Sequence, residues 1–149
     1  MKRVLVTGGF GYVGSRLTPL LLENGHHVRV LDLCLYGKDG LKELERRPDF
    51  SKLSQRFELI EGDLRDPKTL EKALEGIDSV IHLAAISNDP TGELDEVLTR
   101  QTNFDSVGML IALAKKAGVK RMINGSSSSV FGIKHEADVT EVLEPEPIT

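Results

Sequence analysis

A chain of 149 residues is long enough for one hydrophobic core and too short for two domains of ordinary size. With 40% hydrophobic and 28% charged residues it has the composition of a folded globular protein, which argues against disorder. Its 19 basic and 23 acidic residues leave a formal net charge of −4, which repels a phosphate backbone, so nucleic acid is not expected as a partner.

Short β-rich runs alternate with helical patterns along the chain, the sequence form of stacked βαβ units around a parallel sheet. The first strand is expected over Arg3–Thr7. After a glycine-rich turn, Val13, Leu17, Leu20 and Leu21 recur on one helix face, and Asn24-Gly25 ends that helix. Pro19 inside it removes one backbone hydrogen bond and predicts a kink. A second strand is expected over residues 28–31, and a connection over 33–56 with one short helix near 40–46, closed by Pro48. The third strand is read over 57–60; Asp66-Pro67 then gives an N-cap with proline at the first helical position, leading to Leu70, Ala73 and Leu74. Gly76 stops that helix, Ser79–His82 is the fourth strand, and a long helical region covers about 94–116. Gly118 precedes a fifth strand at 120–124, and the chain from Ser126 onward reads as loop. Right-handed crossovers arrange five such strands in the order 3-2-1-4-5, a doubly wound Rossmann-type α/β domain over residues 1–149.

The segment Thr7-Gly8-Gly9-Phe10-Gly11-Tyr12-Val13-Gly14 stands between the first strand and the first helix. Gly9, Gly11 and Gly14 satisfy G-x-G-x-x-G, and Gly8, Gly11 and Gly14 satisfy G-x-x-G-x-x-G. Either register supplies a tight turn, close backbone approach to a pyrophosphate and close packing of helix on strand. The helix start adds free N–H groups and a positive dipole end. A glycine-rich turn can be purely structural; Asp32 gives this one weight. It ends the second strand 18 residues beyond Gly14, near the spacing of the acid that accepts bonds from the adenosine ribose hydroxyls. A carboxylate there selects NAD and repels the 2′-phosphate of NADP. No Gly-Lys-Ser/Thr follows the glycines, so a Walker phosphate loop is excluded.

The Thr7-to-Gly14 stretch resembles that of the extended short-chain dehydrogenase/reductases, the NAD-dependent epimerase and dehydratase branch that includes UDP-glucose 4-epimerase. Further blocks agree in order. Gly62-Asp63-Leu64 resembles the family's adenine contact, with Asp63 accepting from the exocyclic amine. His82-Leu83-Ala84-Ala85 resembles the segment lining the nicotinamide-side ribose, and Asn103 matches the family's helix asparagine, although Ser106 stands where glycine is usual. Ser126-Ser127-Ser128-Ser129-Val130-Phe131-Gly132 resembles the block carrying the catalytic hydroxyl; the resemblance selects Ser127 as the group that hydrogen-bonds the reacting sugar oxygen. The implied cofactor contacts are thus Gly8, Gly11, Tyr12, Val13, Gly14, Asp32, Asp63, Leu64, Leu83, Ala84, Ala85 and Asn103. No metal site is expected. Asp63 and Asp66 read as adenine acceptor and helix cap rather than a metal pair; His26-His27 reads as a turn, His135 as a loop residue, and His82 as a strand-end residue whose backbone matters more than its ring.

The family transfers hydride from a sugar hydroxyl to NAD with a Tyr-x-x-x-Lys pair. The sequence contains none: its two tyrosines are Tyr12 and Tyr36. Residues 140–149 resemble the stretch that leads into the family's tyrosine. The expectation is therefore a truncated enzyme, without the later strands and the C-terminal sugar-nucleotide lobe and inactive by itself; the alternative is a standalone module that binds or senses NAD without catalysis. The resemblance implies a homodimer joined by a helix bundle, leaving Leu110, Ile111 and Leu113 under-covered. The lone Cys34 and the absence of a signal-like or membrane-spanning apolar run point to a cytoplasmic protein without a membrane partner.

Overall fold

A computed structural model describes residues 1–149 except residues 36, 88–91, 93, 136, 137 and 149, with only the backbone of residues 40 and 41 described. Tyr36 therefore lies outside the described residues. The strands are β1 (Arg3–Thr7), β2 (His27–Asp32), β3 (Phe57–Glu61), β4 (Ser79–His82) and β5 (Arg121–Asn124). The helices are α1 (Gly14–Glu23), α2 (Asp39–Glu45), α3 (Phe50–Leu53), α4 (Pro67–Leu74), α5 (Glu96–Arg100) and α6 (Ser106–Lys116).

All four strand pairings are parallel and the sheet order is β3-β2-β1-β4-β5, as the alternating pattern predicts. Parallel strands covered on both faces read as continuous apolar runs. In β1, Val4 and Val6 enter one core with Leu22, Val28, Val30, Leu44 and Leu53, while Leu5 enters the other with Leu31, Leu70, Leu74, Val80 and Leu110. Helices α1, α2 and α3 thus cover one face, and α4 and α6 the other.

The strands β2 and β3 are longer than expected, because ladder bonding continues through Asp32 opposite Glu61. The β2–β3 connection holds α2 close to its expected place, but also α3 and a 3₁₀ turn at Ser54–Arg56. Helix α1 runs through Pro19 as one element. Asp66 caps α4 as predicted, its carboxylate accepting from the Lys68 and Thr69 amides and the Thr69 hydroxyl. The other end of α4 is closed by Arg29 from β2, which donates to the carbonyls of Ala73 and Glu75 at 2.9 Å each.

The long helical region is not uniform. A π-helical turn at Gln101–Asp105 separates α5 from α6, and such turns mark places where a helix is re-aimed, frequently at functional sites. Beyond β5 the expected loop contains a 3₁₀ turn, Ser128–Phe131. Leu110 is not surface, as expected for a bundle contact, but fully buried between α6 and the sheet; Ile111 is the exposed residue of the trio. Among the described residues, no helix is long and apolar enough to cross a membrane.

Candidate functional site

The carboxyl ends of β1, β2, β3 and β4 meet at one edge of the sheet. Leaving β1, the chain turns at Gly8, whose amide donates to the Leu31 carbonyl at 2.9 Å and whose φ of +71° is left-handed. The turn sits hard against the segment after β4: a Cβ on Gly8 would lie 2.7 Å from the Ala84 nitrogen. The first turn of α1 is equally close, since a Cβ on Gly14 would lie 2.3 Å from the Gly8 carbonyl oxygen. This close packing leaves the amides of Tyr12, Val13 and Gly14 at the start of α1 without a protein acceptor among the described residues, and Tyr12 is almost wholly exposed. Converging free amides at a helix start form an anion-accepting cradle.

Asp32 is built into this cradle. One carboxylate oxygen accepts from the Phe10 amide at 2.9 Å and the other from the Cys34 amide at 2.7 Å. Each oxygen keeps a second lone pair for a hydroxyl donor. The Phe10 bond ties the glycine turn to the end of β2, a contact that motif spacing does not reveal.

Asp63, just past β3, is paired with Arg65. The guanidinium Nη2 lies 2.6 Å and Nε 3.0 Å from Oδ2, while Nε at 3.1 Å and the Arg65 amide at 2.8 Å reach Oδ1. This hydrogen-bonded guanidinium holds the Asp63 carboxyl below its ordinary range against the opposing effect of burial. The Leu64 side chain is buried in the core, so only its backbone faces the site.

Strand β4 reaches the site through a pair that sequence reasoning missed. Thr7 Oγ1 and His82 Nδ1 are 2.6 Å apart, and both residues are buried. The Ala84 amide donates to the same hydroxyl at 3.4 Å and the Leu83 amide to the Thr7 carbonyl at 3.0 Å. The expectation that the His82 ring matters little is therefore corrected: burial pushes its pKa below the ordinary histidine value, and its neutral ring braces β4 against β1. Strand pattern places both residues at strand ends but does not show that their side chains share one face.

Asn103 sits in the π-helical turn. Its Oδ1 accepts from the Ile86 amide at 2.9 Å and its Nδ2 donates to the Ile86 carbonyl at 2.8 Å. In this structure it clamps the backbone after Leu83, Ala84 and Ala85. Ser127 is exposed at the start of the 3₁₀ turn after β5; its Oγ accepts from the Ser129 amide at 3.2 Å, leaving its own proton free to donate. The turn is strapped from behind, because the Glu146 amide donates to the Val130 carbonyl at 2.9 Å and Lys134 pairs with the Glu146 carboxylate at 2.6 Å. A groove of about 440 Å³ between α6 and β5 is lined by the apolar Val107, Ile111, Val119 and Met122 and by Lys120, Arg121 and Asn124.

The model of the NAD dependent epimerase/dehydratase family matches residues 4–149. The chain is 32% identical over 148 residues to UDP-glucose 4-epimerase of Neisseria meningitidis serogroup C, covering 97% of this chain and 42% of that protein. It is 35% identical over 134 residues to 3 beta-hydroxysteroid dehydrogenase/Delta 5-->4-isomerase of Mycobacterium tuberculosis, covering 87% of this chain and 33% of that one. Among solved structures, DesIV, a dTDP-glucose 4,6-dehydratase from Streptomyces venezuelae with NAD and TYD bound, superposes with a TM-score of 0.83 at 30% identity. That match covers 97% of this chain and 45% of the DesIV chain, so in each comparison this chain spans less than half of its relative.

Proposed function

Because the chain belongs to the NAD dependent epimerase/dehydratase family, we propose that residues 1–149 are the NAD-binding part of an enzyme acting on a sugar nucleotide. The observation that carries this reading is the cradle: three amides at the start of α1 with no protein acceptor among the described residues, and Asp32 fastened beside them by the Phe10 amide. The groups present fit the dinucleotide. The free amides donate to the pyrophosphate oxygens, and the remaining lone pairs of Asp32 accept from the adenosine ribose hydroxyls and repel a 2′-phosphate. Asp63 accepts the adenine amine, and Leu83, Ala84 and Ala85, held by Thr7 and Asn103, line the nicotinamide-side ribose.

NAD, when bound, supplies the hydride acceptor. The role proposed for Ser127 is to donate its hydroxyl proton in a hydrogen bond to the sugar oxygen, fixing the carbon that reacts. Removal of the hydroxyl proton needs a base, and the family's Tyr-x-x-x-Lys pair does not occur in this sequence. We therefore assign cofactor binding to this chain and turnover to a protein that also carries that pair. The sugar-nucleotide assignment is supported by the epimerase and dehydratase relatives; the steroid dehydrogenase relative shows similar halves serving other substrates. The exposed β5 edge and the apolar groove beside α6 support a homodimer, or further chain, covering that side in the whole enzyme.

The test is to assay this chain beside the same chain extended through a Tyr-x-x-x-Lys helix and substrate lobe, with UDP- and dTDP-hexoses and a 3β-hydroxysteroid. Turnover of a hexose nucleotide by the extended protein alone is expected. Comparable turnover by the 149-residue chain would overturn the assignment of the chemistry, and NAD binding without turnover by either protein would favour a binding module.

A further inference from the structure

Arg65 deserves a role that none of the preceding residues supplies, because its guanidinium is held on both sides. Toward β3 it forks onto Asp63, with Nη2 at 2.6 Å from Oδ2 and Nε at 3.1 and 3.0 Å from the two oxygens. Away from β3 its Nη1 donates to Gln101 Oε1 at 3.2 Å, and Gln101 opens the π-helical turn between α5 and α6. The Arg65 backbone amide adds a fourth bond to the Asp63 carboxylate, reaching Oδ1 at 2.8 Å.

A carboxylate has about four lone-pair sites, two on each oxygen. On Asp63 the Arg65 amide takes one site of Oδ1 and Nη2 one site of Oδ2, while the single Nε proton is shared between the two oxygens at 3.1 and 3.0 Å. Three donor protons on about four sites leave one acceptor direction, and the carboxylate cannot rotate to present another without breaking the fork. Asp63 is only partly exposed, so the remaining direction is not averaged out by bulk water.

We propose that Arg65, anchored by Gln101, is the positioning residue that turns Asp63 into a single-acceptor reader of the purine 6-position, selecting an amino-purine over a 6-oxo-purine dinucleotide. The inference rests on the reading that Asp63 faces adenine. An amine at the 6-position donates to the open site, whereas a 6-oxo group sets oxygen against oxygen. Discrimination of this kind is large when the site's polar group is fixed and left unpaired by the wrong ligand. A carboxylate freed from the fork turns toward water or toward a ring N–H and loses the distinction.

The experiment compares binding of NAD and nicotinamide hypoxanthine dinucleotide to the intact 149-residue chain by calorimetric titration, for wild type, Arg65→Ala, Arg65→Lys and Asp63→Asn. Wild type is expected to prefer NAD by roughly tenfold or more. Arg65→Ala should bring the ratio to within about twofold in a protein that still melts in one cooperative transition, since the side chain is only partly buried. Arg65→Lys should behave like Arg65→Ala, because an ammonium keeps the charge but cannot fill both oxygens. If wild type and Asp63→Asn both fail to discriminate, the Asp63 reading falls and the proposal with it. If wild type discriminates and Asp63→Asn does not, but either Arg65 variant keeps the wild-type ratio, Asp63 reads adenine without the fork and the proposal alone is overturned.

Discussion

Replacing Gly14 by alanine puts one methyl group where the fold has no room. The new Cβ would lie 2.3 Å from the Gly8 oxygen and 2.6 and 2.7 Å from the Gly9 Cα and carbonyl carbon, all backbone atoms that no rotamer change can move. Overpacking of this kind costs about 1–3 kcal/mol, and the rigid neighbours favour the upper end. Alanine's better helix propensity returns up to about 1 kcal/mol, because Gly14 is the first residue of α1. The net loss is about 2 kcal/mol, which for a domain of this size lowers the melting temperature by roughly 6 °C. Gly108→Ala is the internal control: nothing lies within 4 Å of its added Cβ, so it keeps only the helix gain and melts up to about 3 °C higher. Thermal denaturation and NAD titration of both variants form the assay. Gly14→Ala should also weaken NAD binding more than tenfold by opening the amide cradle, while Gly108→Ala binds as wild type. A Gly14→Ala protein that melts with wild type and binds NAD equally well would refute the close-packing argument.

Thr7→Val removes the only partner of the His82 ring among the described residues and should cost about 1–3 kcal/mol in urea denaturation, the cost of a buried unsatisfied polar group; a loss below a few tenths would mean the bond is idle. The same ring makes stability pH-dependent. Burial depresses its folded pKa below the unfolded value of 6.5, so the unfolded state binds the extra proton first as pH falls. Its contribution is fully present above that value and lost as pH falls through the folded pKa, so the denaturation midpoint should decline below pH 6.5 in wild type and decline less in His82→Asn. Asn103→Ala breaks both bonds to Ile86, which lie at the surface; stability should fall by no more than about 1.5 kcal/mol, while hydrogen exchange of the loop after β4 quickens and NAD affinity drops. Unchanged exchange at that loop would count against the clamp.

The sheet was legible because parallel strands buried on both faces carry near-continuous apolar runs, and Val4, Leu5 and Val6 divide between the two cores as such a run must. The glycine turn and the Asp66 cap were legible because their chemistry lies in local spacing. What escaped the sequence lies in contacts between distant side chains. Thr7 with His82, Phe10 with Asp32 and Arg29 with the end of α4 join residues 75, 22 and 44 positions apart, and no periodicity records them. The π-helical turn escaped for a related reason: it replaces a smooth helix where Gln101 and Asn103 must reach two different loops, a demand set by tertiary structure. Leu110 was misplaced because an apolar residue on a long helix looks the same whether it faces a partner or the sheet.

The central claim is that the amide cradle and Asp32 form an NAD site, and parallel titration of the chain with NAD and NADP tests it most directly. On the proposed reading of Asp32, the 2′-phosphate of NADP brings a second negative charge against a carboxylate already fixed by two backbone amides. Like charges set together in a binding site cost several kcal/mol, so the account predicts saturable NAD binding, at least about tenfold tighter than NADP, with the preference lost in Asp32→Ser. Equal or tighter binding of NADP by the wild-type chain would contradict it.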